Sequence, residues 1–353
     1  MRLLMLSWRG PHHPRAGGAE VYTEQLLEGL VQRGHEVSWY SAAHERDMPQ
    51  VYKGIRLLYG AEGMKVYITG NRFTRKSTDF DVIIDQINTF GFLTPWSAKT
   101  KHVSLIHQLA DDVWDYETKP PVSQIGKFLE KQLLAKYRKT PYITISQSTQ
   151  EDLVRLGWEG AHAIVSNGVE VGMPTEKSAN PSIVFLARFK AQAKRLDHAF
   201  RAFLEVQKKY PEAEFWVIGR GDPPEYLKDK RGVKVYNNTS DHERDLLLAQ
   251  AWLCIATSVR EGWGRMVLES AAYGTASVVY NVPGLRDAVV HNETGLVVNP
   301  NVDDMHQAIT FLFDNPDKLR EYSANAYAKA KEYTWESSID RMENFLTDVL
   351  TLS

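Results

Sequence analysis

What most constrains this chain is a rhythm: short β-rich runs alternate with helix-period patterns through the first half, and the alternation starts again in the second. In the first half Leu3–Ser7, Glu36–Ser41, Ile55–Tyr59, Phe80–Asp85, Val103–His107 and Tyr142–Ser146 are predicted strands. Apolar residues at Val21, Leu26, Leu27, Leu30 and Val31 mark a helix over Ala19–Arg33, which Gly34 ends. In the second half the predicted strands are Ile183–Ala187, Glu214–Ile218, Val233–Tyr236, Trp252–Thr257, Ser277–Tyr280 and Gly295–Val298. Helix patterns at Leu196–Lys208, Arg244–Gln250 and Arg265–Tyr273 separate several of them, and three more follow at about Met305–Phe313, Leu319–Glu332 and Glu336–Leu350. Strands that alternate with helices are joined by right-handed crossovers into parallel sheets.

One such sheet does not use up the chain. Its 353 residues exceed what a single core usually supports. The stretch Asn167–Pro181, rich in glycine, proline and small polar residues, reads as a linker near mid-chain. The expected fold class is therefore α/β, with two doubly wound Rossmann-like domains over residues 1–168 and 169–334. Ligands of such open sheets bind at the carboxyl ends of the strands, so the crevice where the two sheets face each other is the expected site.

Composition excludes several classes. A net charge of −2 and a pI of about 6.6 carry no overall signature for nucleic acid. The single cysteine, Cys254, lies in the apolar run Trp252–Ala256, so it reads as a core thiol. The apolar run at Met1–Ser7 is too short for a secretion signal, and no later run approaches the roughly 18 residues of a spanning helix. A cytoplasmic location is expected, with peripheral contact at the inner face of a membrane left open. Neither cofactor nor metal is expected, because no Cys/His cluster has ligand spacing. His12 and His13 are neighbours whose side chains diverge. Asp81, in Asp79-Phe-Asp81, leads into the apolar run Val82–Ile84 and reads as a solvated strand-entry residue.

The loops after the strands carry the chemistry. Gly17 and Gly18 open directly into the first helix, where free N–H groups and the positive dipole end suit an anion. This is neither G-x-G-x-x-G nor a P-loop, and a packing turn explains an isolated Gly-Gly equally well. Arg188 and Lys194 follow a predicted strand; such a pair suits a diphosphate, although surface charge alone accounts for it as well. The strongest feature is Ser258–Glu269, a glycine-rich strand-to-helix turn with Glu261 in the loop and Glu269 in the helix. That spacing can aim two carboxylates into one cleft, while Gly262 and Gly264 leave N–H groups for an anion between them.

These residues, in this order, resemble the retaining GT-B glycosyltransferases of family 4 (glycosyl transferases group 1). Gly17–Glu20 is similar to the family's glycine loop, Ile106–Gln108 to its strand-end histidine, and Ile143–Gln147 and Val165–Val169 to its segments leading to the hinge. Arg188 with Lys194 resembles its phosphate-binding pair, and Glu261 to Glu269 its Glu-x7-Glu signature. Asn281–Asp287 and Glu293–Val297 resemble the segments that follow. The resemblance implies a hexosyl transfer from a UDP- or GDP-sugar to a saccharide, lipid-linked or small-molecule acceptor, with retention of configuration and no metal. It implies His107, Arg188, Lys194 and Glu261 as catalytic groups. Donor contacts would come from Gly17, Gly18, Gly219, Arg188, Lys194, Gly262, Trp263, Gly264, Arg265 and Glu269, with Glu269 on the ribose. The last helix, within 335–353, is similar to the segment by which the family's chain returns to its first domain. Three departures stand out. Lys194 lies six positions after Arg188 where five is commoner, and Arg195 follows it where the family has glycine, so Arg195 is an alternative phosphate contact. Pro283–Leu285 and Asp287 replace a Gly-Gly and a Glu.

The acceptor side is less stereotyped. Within Thr118–Lys139 six basic residues face one acid, Glu130, and Phe128, Leu129, Leu133 and Leu134 interleave with them. Two readings fit: a basic amphipathic helix docking on anionic lipid, and a solvated basic face over a packed apolar stripe. Two rival functions are a nucleotide-sugar epimerase of similar build and an inactive sugar-nucleotide sensor.

Overall fold

The computed structural model describes residues 1–351, apart from the side chain of Ala187. The chain divides into two compact units. One comprises Met1–Asp111, Pro121–Gly168 and the segment from Trp335 onward; the other comprises Asp112–Pro120 and Val169–Thr334. The short segment Asp112–Pro120 thus leaves the half that a boundary near residue 170 assigns it to. Leu352 and Ser353 of the predicted 335–353 segment lie outside the described residues.

The first unit is built on eight strands: β1 (Arg2–Leu6), β2 (Glu36–Ala42), β3 (Val51–Tyr52), β4 (Ile55–Gly60), β5 (Val82–Ile87), β6 (Lys101–Ile106), β7 (Tyr142–Thr144) and β8 (His162–Ile164). Their order is β3-β4-β2-β1-β5-β6-β7-β8, and all pair in parallel except the edge strand β3. Helices cover both faces, so the inner strands read as continuous apolar runs rather than alternating ones. Leu3, Leu4, Met5 and Leu6 are all fully buried, as are Val82, Ile83 and Ile84. Chain order runs outward from β1 to β4, then reverses between β1 and β5, which opens a crevice at their carboxyl ends. β3 and β8 escape sequence reading because two or three residues show no period.

The last helix, Trp335–Thr351, packs against the first, Gly18–Gln32. Gly29 makes this fit possible, since a Cβ there would lie 2.1 Å from Ile339 Cδ1. Glu343 accepts from Arg33 at 2.6 Å and pairs with His35 at 2.7 Å, and Ser338 donates to the Ser166 carbonyl at 2.8 Å.

The second unit has six strands, all parallel: β9 (Ser182–Arg188), β10 (Glu214–Arg220), β11 (Val233–Asn237), β12 (Leu253–Ala256), β13 (Ser277–Tyr280) and β14 (Gly295–Val298). Their order, β11-β10-β9-β12-β13-β14, reverses between β9 and β12. Cys254 sits fully buried on β12, and burial pushes its thiol up to about 11, which fits a core role. The segment that composition marks as a linker is firmly seated on this unit. Lys177 donates to the carbonyls of Ala249 (3.0 Å) and Gly274 (2.9 Å) and to Thr275 Oγ1 (2.7 Å). Burial lowers its pKa to about 8.

Candidate active site

In the second unit the strand reversal decides where the side chains meet. The loops after β9 and β12, neighbours in the sheet, hold residues far apart in sequence. They are stitched together by backbone: Val259 N donates to Ala193 O at 2.9 Å. Thr257 Oγ1 bridges the carbonyls of Lys194 (3.0 Å) and Arg195 (2.9 Å). This fixes the 3-10 turn Gln192–Lys194 and brings the Lys194 ammonium onto Glu261, 67 residues away. Ser258 Oγ donates to the same carboxylate oxygen at 2.6 Å, so Glu261 is held from two sides. Ala193 N donates at 3.1 Å to Glu117, which belongs to the Asp112–Pro120 segment. No sequence signal pointed to Glu117; Ser258 lay inside the strongest motif without an assigned role.

Arg195 goes elsewhere. Its backbone is left-handed (φ 51°), the conformation that glycine adopts without penalty. Its guanidinium reaches the ring nitrogens of His198 at 2.6 and 3.0 Å and lies over the Tyr280 ring, 5.5 Å from the centroid. Of the two adjacent cations, Lys194 is the one beside Glu261.

Lys194, Ser258, Glu261, Trp263, Gly264 and Arg265 line one cavity of about 60 Å³. Trp263 packs against Tyr333, with ring centroids 5.3 Å apart, and its buried Nε1 has no hydrogen-bond partner among the described residues. A larger hollow of about 390 Å³ on the same unit, bordered by Asn281, His291, Asp304 and Phe311, contains none of the expected catalytic or donor-binding residues, although Asn281, Leu296 and Val297 belong to the two later motif segments.

The glycine turn is more occupied than its sequence suggests. Gly264 N donates to Gly284 O at 3.0 Å, and Glu261 N to Pro283 O at 3.0 Å. The Gly264 amide is therefore not available to an anion, which corrects that part of the expected cradle. Gly284 has φ +81°, and a Cβ there would lie 2.1 Å from Glu261 O, so the zipped loops require glycine at 284. Asp287 closes this loop by accepting from Gly284 N at 2.8 Å. Glu269 sits in the helix Arg265–Ala272 and accepts from Arg265 Nε, one turn earlier, at 2.8 Å. Arg188 ends β9, exposed and in register with Arg220, and does not line the small cavity. Gly219 sits one residue before the end of β10, where a Cβ would meet the Phe189 ring at 2.4 Å; its packing need is evident.

In the first unit, Gly17 and Gly18 begin the first helix, but Glu20 folds back so that its carboxylate accepts from Gly17 N at 2.6 Å. The turn is capped by its own chain. His107 follows β6. Gln86 Nε2, from β5, lies 2.7 Å from His107 Nε2 and 2.8 Å from Thr23 Oγ1 of the first helix. As the amide is placed, it donates to Nε2, which leaves Nδ1 as the N–H donor of a neutral ring. Burial beside Tyr22 lowers the His107 pKa to about 4. Asp81 accepts from Arg2 N at 2.7 Å and from the Arg2 guanidinium at 3.1 Å, so it ties off the start of β5. His12 and His13 do diverge, towards Tyr52 and His44. Among the described residues no group of three or more His, Cys, Asp or Glu could hold a metal, and no helix is long and apolar enough to cross a membrane.

Comparison with known proteins gives this geometry its family. The family described as glycosyl transferases group 1 matches residues 174–329, and glycosyltransferase family 4 matches residues 16–172. A poly(glycerol-phosphate) alpha-glucosyltransferase from Bacillus subtilis is 30% identical over 178 residues, which is 48% of this chain and 26% of that protein. This chain therefore spans only about a quarter of that relative's length. Sucrose-phosphate synthase from Thermosynechococcus elongatus superposes with a TM-score of 0.80 at 18% identity, with both chains fully covered. HepE from Anabaena, solved with UDP-glucose, superposes at 0.74 and 16% identity, covering 99% of this chain and all of that one. Two parallel-sheet α/β units, matched by family in each half and by fold over the whole length, place the chain among the GT-B glycosyltransferases of family 4.

Proposed function

We propose that this glycosyltransferase moves a hexose from a nucleoside-diphosphate donor to a hydroxyl of a saccharide, lipid-linked or small-molecule acceptor, with retention of configuration and without a metal. The observation that carries the reading is the Lys194–Glu261 pair, held at the strand reversal with Ser258 on the same carboxylate. It puts a cation suited to a departing diphosphate next to a carboxylate suited to a sugar hydroxyl.

In the proposed reaction the bond from C1 to the diphosphate oxygen breaks, and its electron pair stays with that oxygen. The acceptor oxygen bonds to C1 from the same face and passes its proton to the leaving phosphate. Negative charge grows on the diphosphate, and Lys194 and Arg188 stabilise it as preorganised cations; one such group is worth roughly 100- to 1000-fold in rate. Glu261 orients the donor sugar and Glu269 the ribose. His107 is neutral near pH 7, so it acts as a hydrogen-bond partner of sugar hydroxyls and not as a counter-ion. The Bacillus subtilis relative is named an alpha-glucosyltransferase and HepE was solved with UDP-glucose, so UDP-glucose is the first donor to try.

The test is release of nucleoside diphosphate from UDP-, GDP-, ADP- and dTDP-sugars with EDTA present, for wild type and Glu261→Ala. Slow hydrolysis of one donor, abolished by the substitution, is expected. Release from no donor, with sugar and lipid acceptors supplied, would overturn the reading in favour of a sensor. Conversion of donor to an epimer would identify an epimerase.

A further inference from the structure

The helix Val122–Leu134, in the first unit, is packed inside out. An amphipathic helix of a soluble domain normally turns its apolar stripe to the core. Here the buried positions are Ser123, Gly126, Glu130 and Leu134. The outward face carries Val122 (55% exposed), Ile125 (54%) and Phe128 (61%), with Leu129 beside them. Glycine at 126 and serine at 123 present little side chain on the inner face. Glu130, the helix's lone acid, is buried and accepts from the backbone N–H groups of Ala110 (2.7 Å) and Asp111 (3.1 Å). The acid is thereby removed from the surface while the bases stay on it: Lys131, Lys136, Arg138 and Lys139 are exposed. Trp96, 60% exposed, lies beside the end of this segment with Lys136 Nζ 5.3 Å from its ring centroid.

Apolar side chains facing solvent, an indole beside a lysine, and basic residues with their acid withdrawn describe an interface for one kind of surface. Hydrocarbon-adjacent burial suits Ile125 and Phe128, the headgroup level suits Trp96, and anionic headgroups suit the lysines. We infer that this face, formed by Val122–Lys139 and Trp96, docks on an anionic lipid surface. A partner protein would also cover apolar residues, but the one-sided charge favours phosphate-bearing lipid. A lipid-linked acceptor would be met at this surface, a consequence that rests on the transferase reading; the docking itself does not.

The experiment is co-sedimentation of the full chain with phosphatidylcholine vesicles, with and without about a third phosphatidylglycerol, at low and high salt. Wild type is expected on the anionic vesicles only, with binding weakened by salt. The double variant Ile125→Glu/Phe128→Glu is expected to bind at least about tenfold more weakly. Its thermal unfolding and donor hydrolysis are expected to match wild type, since both positions are exposed and outside the assigned site. Lys131→Glu/Lys136→Glu is expected to lose binding with the apolar face intact. Equal binding of the Ile125→Glu/Phe128→Glu variant would overturn the inference. So would wild type that ignores anionic vesicles, including wild type that elutes as a dimer which this variant converts to monomer.

Discussion

The two sheets share a plan and differ in what they put at its working end. Each reverses its strand order beside its first strand, and each sends a glycine turn into a helix near that reversal. In the first unit the assigned groups there are satisfied by hydrogen bonds, and the His107 imidazole is neutral. Glu20 caps Gly17, Gln86 fixes His107, and buried Asp85 accepts from Phe92 N, Thr94 and Tyr137. In the second, Lys194, Glu261, Arg265 and Glu269 form ion pairs around a small cavity, with Arg188 exposed nearby in sequence. One topology thus supports two chemistries. The second unit sets ion pairs there, and the first a neutral imidazole and an amide, which discriminate by hydrogen bonds rather than by charge.

The largest effect that sharpens this contrast is at Lys194. Lys194→Ala should lower donor turnover by roughly 100- to 1000-fold with little change in folding, read from initial rates and circular dichroism. A loss below about tenfold would mean that the second unit's charge is not what stabilises the leaving group.

A second measurement probes the first unit's buried imidazole by acid. His107 is held at about 4 against an ordinary 6.5, so the native state resists a proton that the unfolded chain accepts. Stability from its neutral burial is complete above pH 6.5 and is lost as pH falls towards 4, by about 3 kcal/mol at most. Thermal unfolding at pH 7 and pH 4.5 should show a smaller acid loss in His107→Gln than in wild type. Identical losses would remove the claim that burial keeps this ring uncharged.

The smallest expected effect is at Glu20. Glu20→Ala removes the bond to Gly17 N and should destabilise by about 1 kcal/mol, with turnover reduced less than about tenfold. If turnover instead fell as far as in Lys194→Ala while the melting temperature held, the two glycine turns would be equivalent and the contrast would break.

Much of the architecture was legible because it depends on local pattern. The strand–helix alternation and the Glu261–Glu269 turn need only neighbours in sequence to be seen. What stayed hidden depends on distant partners. Lys194 and Arg195 are adjacent bases, and only the ties from Thr257 and the left-handed backbone at Arg195 separate their roles. The Gly264 amide looks free until Gly284, 20 residues later, is found accepting from it. The helix at Val122–Leu134 is the sharpest case: periodicity shows that an apolar face exists, but not which way it turns. Of the predicted apolar stripe Leu134 is packed into the core, whereas Phe128 and Leu129 face solvent.

The closing helix has a consequence for biosynthesis. All eight strands of the first sheet are made by residue 164, yet the helix that seats Ile339 over Gly29 begins only at Trp335. At typical synthesis rates that gap lasts roughly ten to thirty seconds, during which the second unit can be completed. The half that leaves the ribosome first is therefore the last to be finished, its closing ion pair spanning 310 residues. A message cut short before Trp335 would yield a second unit with all its strands and a first unit with an unsealed flank, a natural target for chaperones and proteases.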